Sequence, residues 1–195
     1  MGFGNDRDCA GALVNEIASK GQLRLSFLRW ALVVVPTVEF LGLASALASG
    51  SGPDSPWYDV LVKPSFMPPS GAFGLVWPIL YLLIGIALSI VLNARGARGR
   101  GLAITLFLVQ LVCNLLWSPL FFGAHEAGLA FYLLLVILAL SLVTMLLFWR
   151  IRSAAGLLML PYLAWLAFAS VLAQQVHMLN PDAESLVPPA AHTQI

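Results

Sequence analysis

Charge is what this sequence has least of. Asp, Glu, Lys and Arg make up 10% of its 195 residues, against roughly 25% in an ordinary globular chain. No such residue occurs in 64–94, 101–125, 127–149 or 153–181, and the stretch 30–53 holds one, Glu39. This excludes an ordinary water-soluble domain. With a net charge of +1 and no basic domain, it also gives no support for nucleic-acid binding. Cysteine is scarce as well: Cys9 and Cys113 fall far apart, in an N-terminal extension and in a span, so no disulfide is expected. There is no metal-spaced cluster, nucleophile–base set or glycine-rich phosphate loop. His177 alone, with no second ligand, does not make a metal site. Side-chain acid–base catalysis therefore has little support, and the absence of an internal repeat, with an odd number of spans, counts against inverted-repeat transporter plans.

What is present is apolar length. Hydrophobic residues make up 60% of the chain, and each uncharged stretch reaches the ~20 residues a helix needs to cross the hydrocarbon. Backbone groups in lipid must satisfy one another, so such stretches become helices. The reading is an all-α membrane protein, a bundle of five transmembrane helices at about 28–49, 72–94, 102–122, 127–149 and 154–178. A polar extension, 1–27, with an amphipathic piece around Leu13–Ile17, precedes this domain of 28–180, and a short disordered tail, 181–195, follows it. Connections two–three, three–four and four–five are short, which makes consecutive helices antiparallel neighbours.

Basic residues set the orientation. Arg7, Lys20, Arg24, Arg29, Arg95, Arg98, Arg100, Arg150 and Arg152 fall on one side of a five-span chain, and Lys63 alone on the other. The positive-inside rule then places the N-terminus in the cytoplasm. Ala31–Leu43 followed by Ala46-Leu47-Ala48 imitates a cleaved signal, but the long preceding segment with Asp6, Asp8 and Glu16 is unusual for one.

Several residues stand out against this apolar ground. Gln110, Asn114 and Trp117 share one face of span three, where amides need partners on another helix or in a cavity. Trp165, Phe168, Ala169 and Leu172 share a face of span five, suited either to a flat slot or to ordinary packing. Glu39 is expected to be neutral, paired or turned to a watery cavity. Pro36, Pro78, Pro119 and Pro161 lie inside spans, where each removes a helix hydrogen bond and either bends its helix harmlessly or opens a pocket. The loop 50–71 is stiffened by Pro53, Pro56, Pro64, Pro68 and Pro69 and carries Trp57 and Tyr58.

These residues also carry a resemblance. Trp57-Tyr58-x4-Lys63-Pro64-Ser65-x2-Pro68-Pro69, Phe73-Gly74-x2-Trp77-x3-Tyr81, Gln110-x3-Asn114-x2-Trp117-x3-Phe121-Phe122-Gly123 and Pro161-Tyr162-x2-Trp165-x2-Phe168-Ala169, closing with Leu179-Asn180, resemble the TspO/MBR family in order over about 57–180. The resemblance implies a five-helix bundle, usually homodimeric, that binds porphyrins such as protoporphyrin IX or heme, as ligands rather than cofactors. Tyr58, Trp77, Asn114, Trp117, Trp165, Phe168, Ala169 and Leu172 are the expected ligand-binding residues, with the first loop as a cap. Asn114 is expected to hold polar groups of the macrocycle. Expected partners are the bilayer, a porphyrin or other hydrophobic small molecule and a second copy, in the bacterial inner membrane or an outer one. The implied roles are tetrapyrrole sensing, trafficking or regulation. Light- or oxygen-dependent porphyrin degradation and small-molecule transport are the alternatives. The chain departs from the pattern at Phe66 and Gly71, where many members have tryptophan, and at Ala173, where asparagine is usual. The Tyr and basic residue of the animal sterol motif are absent after span five.

Overall fold

A computed structural model describes residues 20–51 and 55–186; Cys9 and the segment around Leu13–Ile17 lie outside them. Among the described residues the chain is helical, without strands. Five long helices are apolar enough to cross a membrane: α1 (Lys20–Ala48), α3 (Ser70–Asn93), α4 (Arg100–Ser118), α5 (Ala127–Ile151) and α6 (Ser153–Leu179), with the short α2 (Pro56–Val60) in the first loop. The five spans agree with the sequence reading. Two boundaries do not. Helix α1 begins at Lys20, so the last residues of the extension are helical, and its membrane-crossing part runs Leu25–Ala48. Residues 181–186 are ordered: a 3-10 turn, Ala183–Ser185, packs with Ala183 buried.

Local chemistry sets the ends. Gly50 leaves α1 at φ +60, and Gly96 and Gly99 carry positive φ in the turn between α3 and α4, a region closed to most side chains. Arg100 folds back over the end of α3, donating from Nε to Val91 O at 3.0 Å and from Nη2 to Leu92 O at 2.8 Å. It thereby covers carbonyls that have no intrahelical partner. Helix α4 runs into a π-helical turn, Pro119–Gly123, closed by Ala124 N–H on Pro119 O at 2.9 Å. A π turn swells the helix by a residue and is a frequent companion of functional sites.

The helices close a ring: α1 lies beside α3, α3 beside α6, α6 beside α5, α5 beside α4, and α4 returns to α1. Small residues allow the closest approaches, as is usual where lipid supplies no hydrophobic drive between helices. Gly156 sits under Trp149, where an added side chain would meet the Trp149 Cα at 3.0 Å, and Gly128 sits under the His177 ring. Phe107 and Phe148, stacked at 5.8 Å, fill the half of the core nearest the arginine-rich connections, with Ile84, Val91 and Met159. This half is the basic end. The opposite half, under the first loop, is the lid end, and there the packing opens.

Candidate functional site

A cavity of about 400 Å³ occupies the lid end between the helices, within the size range of small-molecule sites. Eight aromatic side chains contribute to its walls. Helix α3 contributes Phe73, Trp77 and Tyr81, and α4 with its π turn contributes Asn114, Trp117, Phe121 and Phe122. Helix α6 contributes Trp165, Ala169, Leu172, Ala173 and Val176, α1 contributes Glu39, Gly42 and Leu43 among others, and Tyr58 and Met67 descend from the first loop. The rings brace one another. Trp117 stacks on Phe121 at 5.1 Å and 8°, Phe121 meets Phe122 edge-on at 4.9 Å, and Trp77 tilts against Tyr81 at 5.5 Å. Trp117 is fixed further by its indole N–H on Ala130 O at 3.1 Å. The π turn sets both Phe121 and Phe122 on the wall although they are adjacent in sequence.

One polar chain runs from this wall into the bundle. Tyr81 O–H donates to Asn114 Oδ1 at 2.7 Å, and Asn114 Nδ2 donates to Tyr162 Oη at 3.0 Å. Tyr162 O–H in turn donates to Gln110 Oε1 at 3.0 Å, which also accepts from Ser141 Oγ at 3.1 Å. Four helices are joined by these bonds, each in a setting where an unmade bond is costly. The amide of Asn114 is thus occupied at both ends by tyrosines. It braces the wall by these two bonds, and it also lines the cavity, as expected of a site residue. Among the described residues Gln110 Nε2 and Trp165 Nε1 have no hydrogen-bond partner.

The first loop is fastened over the cavity. Trp57, only 1% exposed, donates from Nε1 to Ala183 O at 2.9 Å, stacks on His125 at 4.6 Å and meets Phe121 edge-on at 5.2 Å. Asn180 bonds the loop twice: its Oδ1 accepts from Val62 N–H at 2.8 Å, and its Nδ2 donates to Val62 O at 2.9 Å. The same Nδ2 donates to Val176 O at 2.8 Å, which ties the clamp to the end of α6. Tyr58 donates to the Met67 sulfur at 3.5 Å and lies under the Lys63 ammonium, 4.4 Å from its ring centre. Burial, and then the charge of Asp59, push the Tyr58 phenol above its ordinary pKa, so it stays neutral. Beside the C-terminal turn, Glu126 is also raised above the usual carboxylate value, first by desolvation and then by a hydrogen bond with, and the charge of, Glu184.

Seven of the eight residues expected at the site reach the cavity wall: Tyr58, Trp77, Asn114, Trp117, Trp165, Ala169 and Leu172. Phe168 does not. It turns away to pack against Trp165 at 5.5 Å and against Phe66 of the loop at 6.4 Å, because one residue from Ala169 is about 100° around the helix. The sequence reading assigned no site role to Tyr81, Phe73, Phe121, Phe122 or Met67. Tyr81 could have been found by its place one turn after Trp77, on the same face.

Five membrane-crossing helices around a cavity rich in aromatic side chains, with the first loop fastened over it, define a multi-pass membrane protein. The sequence profile of the TspO/MBR family matches residues 31–179. The chain belongs to that family. It is 42% identical over 132 residues to the tryptophan-rich protein TspO of Chlorobaculum tepidum, covering 66% of this chain and 82% of that one. It is 38% identical over 161 residues to protein CrtK of Rhodobacter capsulatus, covering 76% and 94%, and 36% identical over 118 residues to the human translocator protein, covering 60% and 70%.

Proposed function

We propose that the protein is a receptor-like membrane protein that binds a flat hydrophobic ligand, a tetrapyrrole such as protoporphyrin IX or heme, and acts in tetrapyrrole sensing, trafficking or regulation. The observation that carries this reading is the cavity wall of Trp77, Trp117, Phe121 and Trp165. Aromatic faces attract a conjugated macrocycle by dispersion and by offset stacking. The names of two relatives, a tryptophan-rich sensory protein of Cereibacter sphaeroides and the human translocator protein, fit a sensing or trafficking role. We also carry over from the family resemblance a homodimer, which cross-linking in isolated membranes tests; as a bundle of helices it is placed in a bacterial inner membrane, with an outer membrane as the alternative, and membrane fractionation separates the two.

The experiment is a titration of purified protein with protoporphyrin IX in the dark, followed by tryptophan quenching. Saturable micromolar binding, weakened at least about tenfold (~1.4 kcal/mol) by Trp165→Ala or Trp77→Ala, is the expected result. Detergent-like partitioning without saturation overturns the reading.

A further inference from the structure

The seam between α1 and α3 differs along its length. Towards the basic end it is closed: a side chain at Gly85 would meet the Cα of Val35 at 3.2 Å. Further along, Gly42 lies against the Tyr81 ring, leaving no room for even a methyl group. Nearer the lid end the same face of α3 carries Gly74 and Pro78, and around Gly74 an added Cβ meets nothing within 4 Å. Gly74 and Pro78 line the cavity and are nevertheless exposed on the outside of the bundle. So is Leu43 across the seam, 59% exposed and still part of the wall. A residue that is both cavity lining and outer surface marks an opening. This one faces the zone where the hydrocarbon lies, because it sits within the membrane-crossing parts of both helices.

Glu39, the single acidic residue in the five spans, stands at the rim of this opening. It is one turn before Leu43 on α1, and both line the cavity. By contrast the route from water is fastened by Trp57 on Ala183 and by Asn180 on both backbone groups of Val62.

We infer that the cavity fills and empties sideways, from the bilayer, through the lid-end half of the α1–α3 seam, while the clamped first loop stays shut. The inference rests on the reading of the cavity as a ligand site, and it adds the class of ligand admitted: a planar apolar molecule already dissolved in the membrane. Pro78 lets α3 bend away from α1 without the loss of a helix hydrogen bond at that residue, since proline has no N–H to donate. Passage then needs a small separation of two helices rather than rupture of the loop clamp.

The test is stopped-flow binding of protoporphyrin IX to the full chain in lipid nanodiscs, with three variants. Gly74→Leu places a side chain in the open part of the seam. It is expected to slow association and dissociation together, each about tenfold, so that any change in Kd is much smaller than the change in either rate. Asn180→Ala, which frees the loop, and a Val62→Cys/Asn180→Cys disulfide, which locks it, are expected to leave both rates as in the wild type. The inference is overturned if the loop variants move the rates and Gly74→Leu does not. It is equally overturned if Gly74→Leu raises dissociation alone, since Gly74 is then wall and not mouth. Absence of saturable binding by the wild-type protein overturns this inference and the proposed function together, whereas normal wild-type Kd with unaltered Gly74→Leu rates overturns the lateral route only.

Discussion

Asn114 is the residue on which the cavity wall depends most. Its amide joins Tyr81 of α3 to Tyr162 of α6, and both phenols are buried. Replacing it with leucine leaves the Tyr81 hydroxyl without an acceptor, a loss of about 1–3 kcal/mol for one orphaned group. The expected outcome is a lowered midpoint in thermal unfolding in detergent for Asn114→Leu and a smaller drop for Tyr81→Phe. The double variant should be less stable than wild type by less than the sum of the two, because the two side chains share one bond. A strictly additive pair would mean that the bond contributes nothing. Gly42 has a related role, as the floor on which the Tyr81 ring rests. Gly42→Ala is expected to displace the ring at a cost of about 1–3 kcal/mol, and to weaken porphyrin binding through a deformed wall. The helical spacing of Gln110, Asn114 and Trp117 made the polar face of span three legible in the sequence. Its partners were not, because Tyr81 and Tyr162 arrive from other helices and no local pattern encodes that meeting. Phe168 shows the opposite failure. A spacing of three residues from Trp165 suggested a shared face, but the ring is rotated just far enough to find the loop instead of the cavity.

At the level of elements, the first loop and the C-terminal turn form one unit. Proline content made the loop legible as a stiff cap, whereas Pro181-Asp182-Ala183-Glu184 reads locally as a tail. Its order comes from contact with Trp57, about 126 positions away in the chain, which no window of sequence contains. The stability of this turn is expected to depend on pH. Glu126 holds a proton more tightly in the folded protein than its ordinary value of 4.5 implies, through desolvation and its hydrogen bond with Glu184. A raised folded pKa means that the folded state binds more protons than the unfolded one over the interval between the two values. The contribution is therefore fully present below about 4.5 and is lost as pH rises through the folded value. The melting temperature of wild type relative to Glu184→Gln is expected to decline as pH is raised from about 4 to 7, since the variant keeps a neutral hydrogen-bonding partner. Parallel curves for the two proteins would show that the carboxyl pair does not hold the turn. The π turn at Pro119–Gly123 was legible only as a proline in a span. Its consequence, two adjacent phenylalanines on one wall, depends on the extra residue in the turn.

The whole molecule is polarised by its charges. Among the described residues Arg29, Arg95, Arg98, Arg100, Arg150 and Arg152 lie at one end of the bundle, while Lys63 is with Asp59, Glu126, Asp182 and Glu184 at the other. Five antiparallel spans are what sort the charges this way, so span count and charge bias support each other, and both were legible from the uncharged stretches alone. By the positive-inside rule the basic end is expected to face the cytoplasm and the lid end to face out. This can be checked with single cysteines in a background of Cys9→Ser and Cys113→Ser. Ala97→Cys lies in the turn between α3 and α4 at the basic end, and Ser185→Cys lies exposed in the C-terminal turn at the lid end. A membrane-impermeant maleimide added to intact cells is expected to label Ser185→Cys and to spare Ala97→Cys until the cells are lysed. The reverse pattern would put the clamped loop and its acidic partners in the cytoplasm. The outcome bears on ligand delivery because the seam beside Gly74 lies in the half of the bundle nearer the lid. With the predicted orientation the proposed opening would face the outer leaflet, and a porphyrin supplied from the cytoplasmic side would have to cross to that leaflet before binding. Binding in vesicles should then be faster when the porphyrin is added from the lid side than from the basic side, by a margin that shrinks as the porphyrin equilibrates between leaflets.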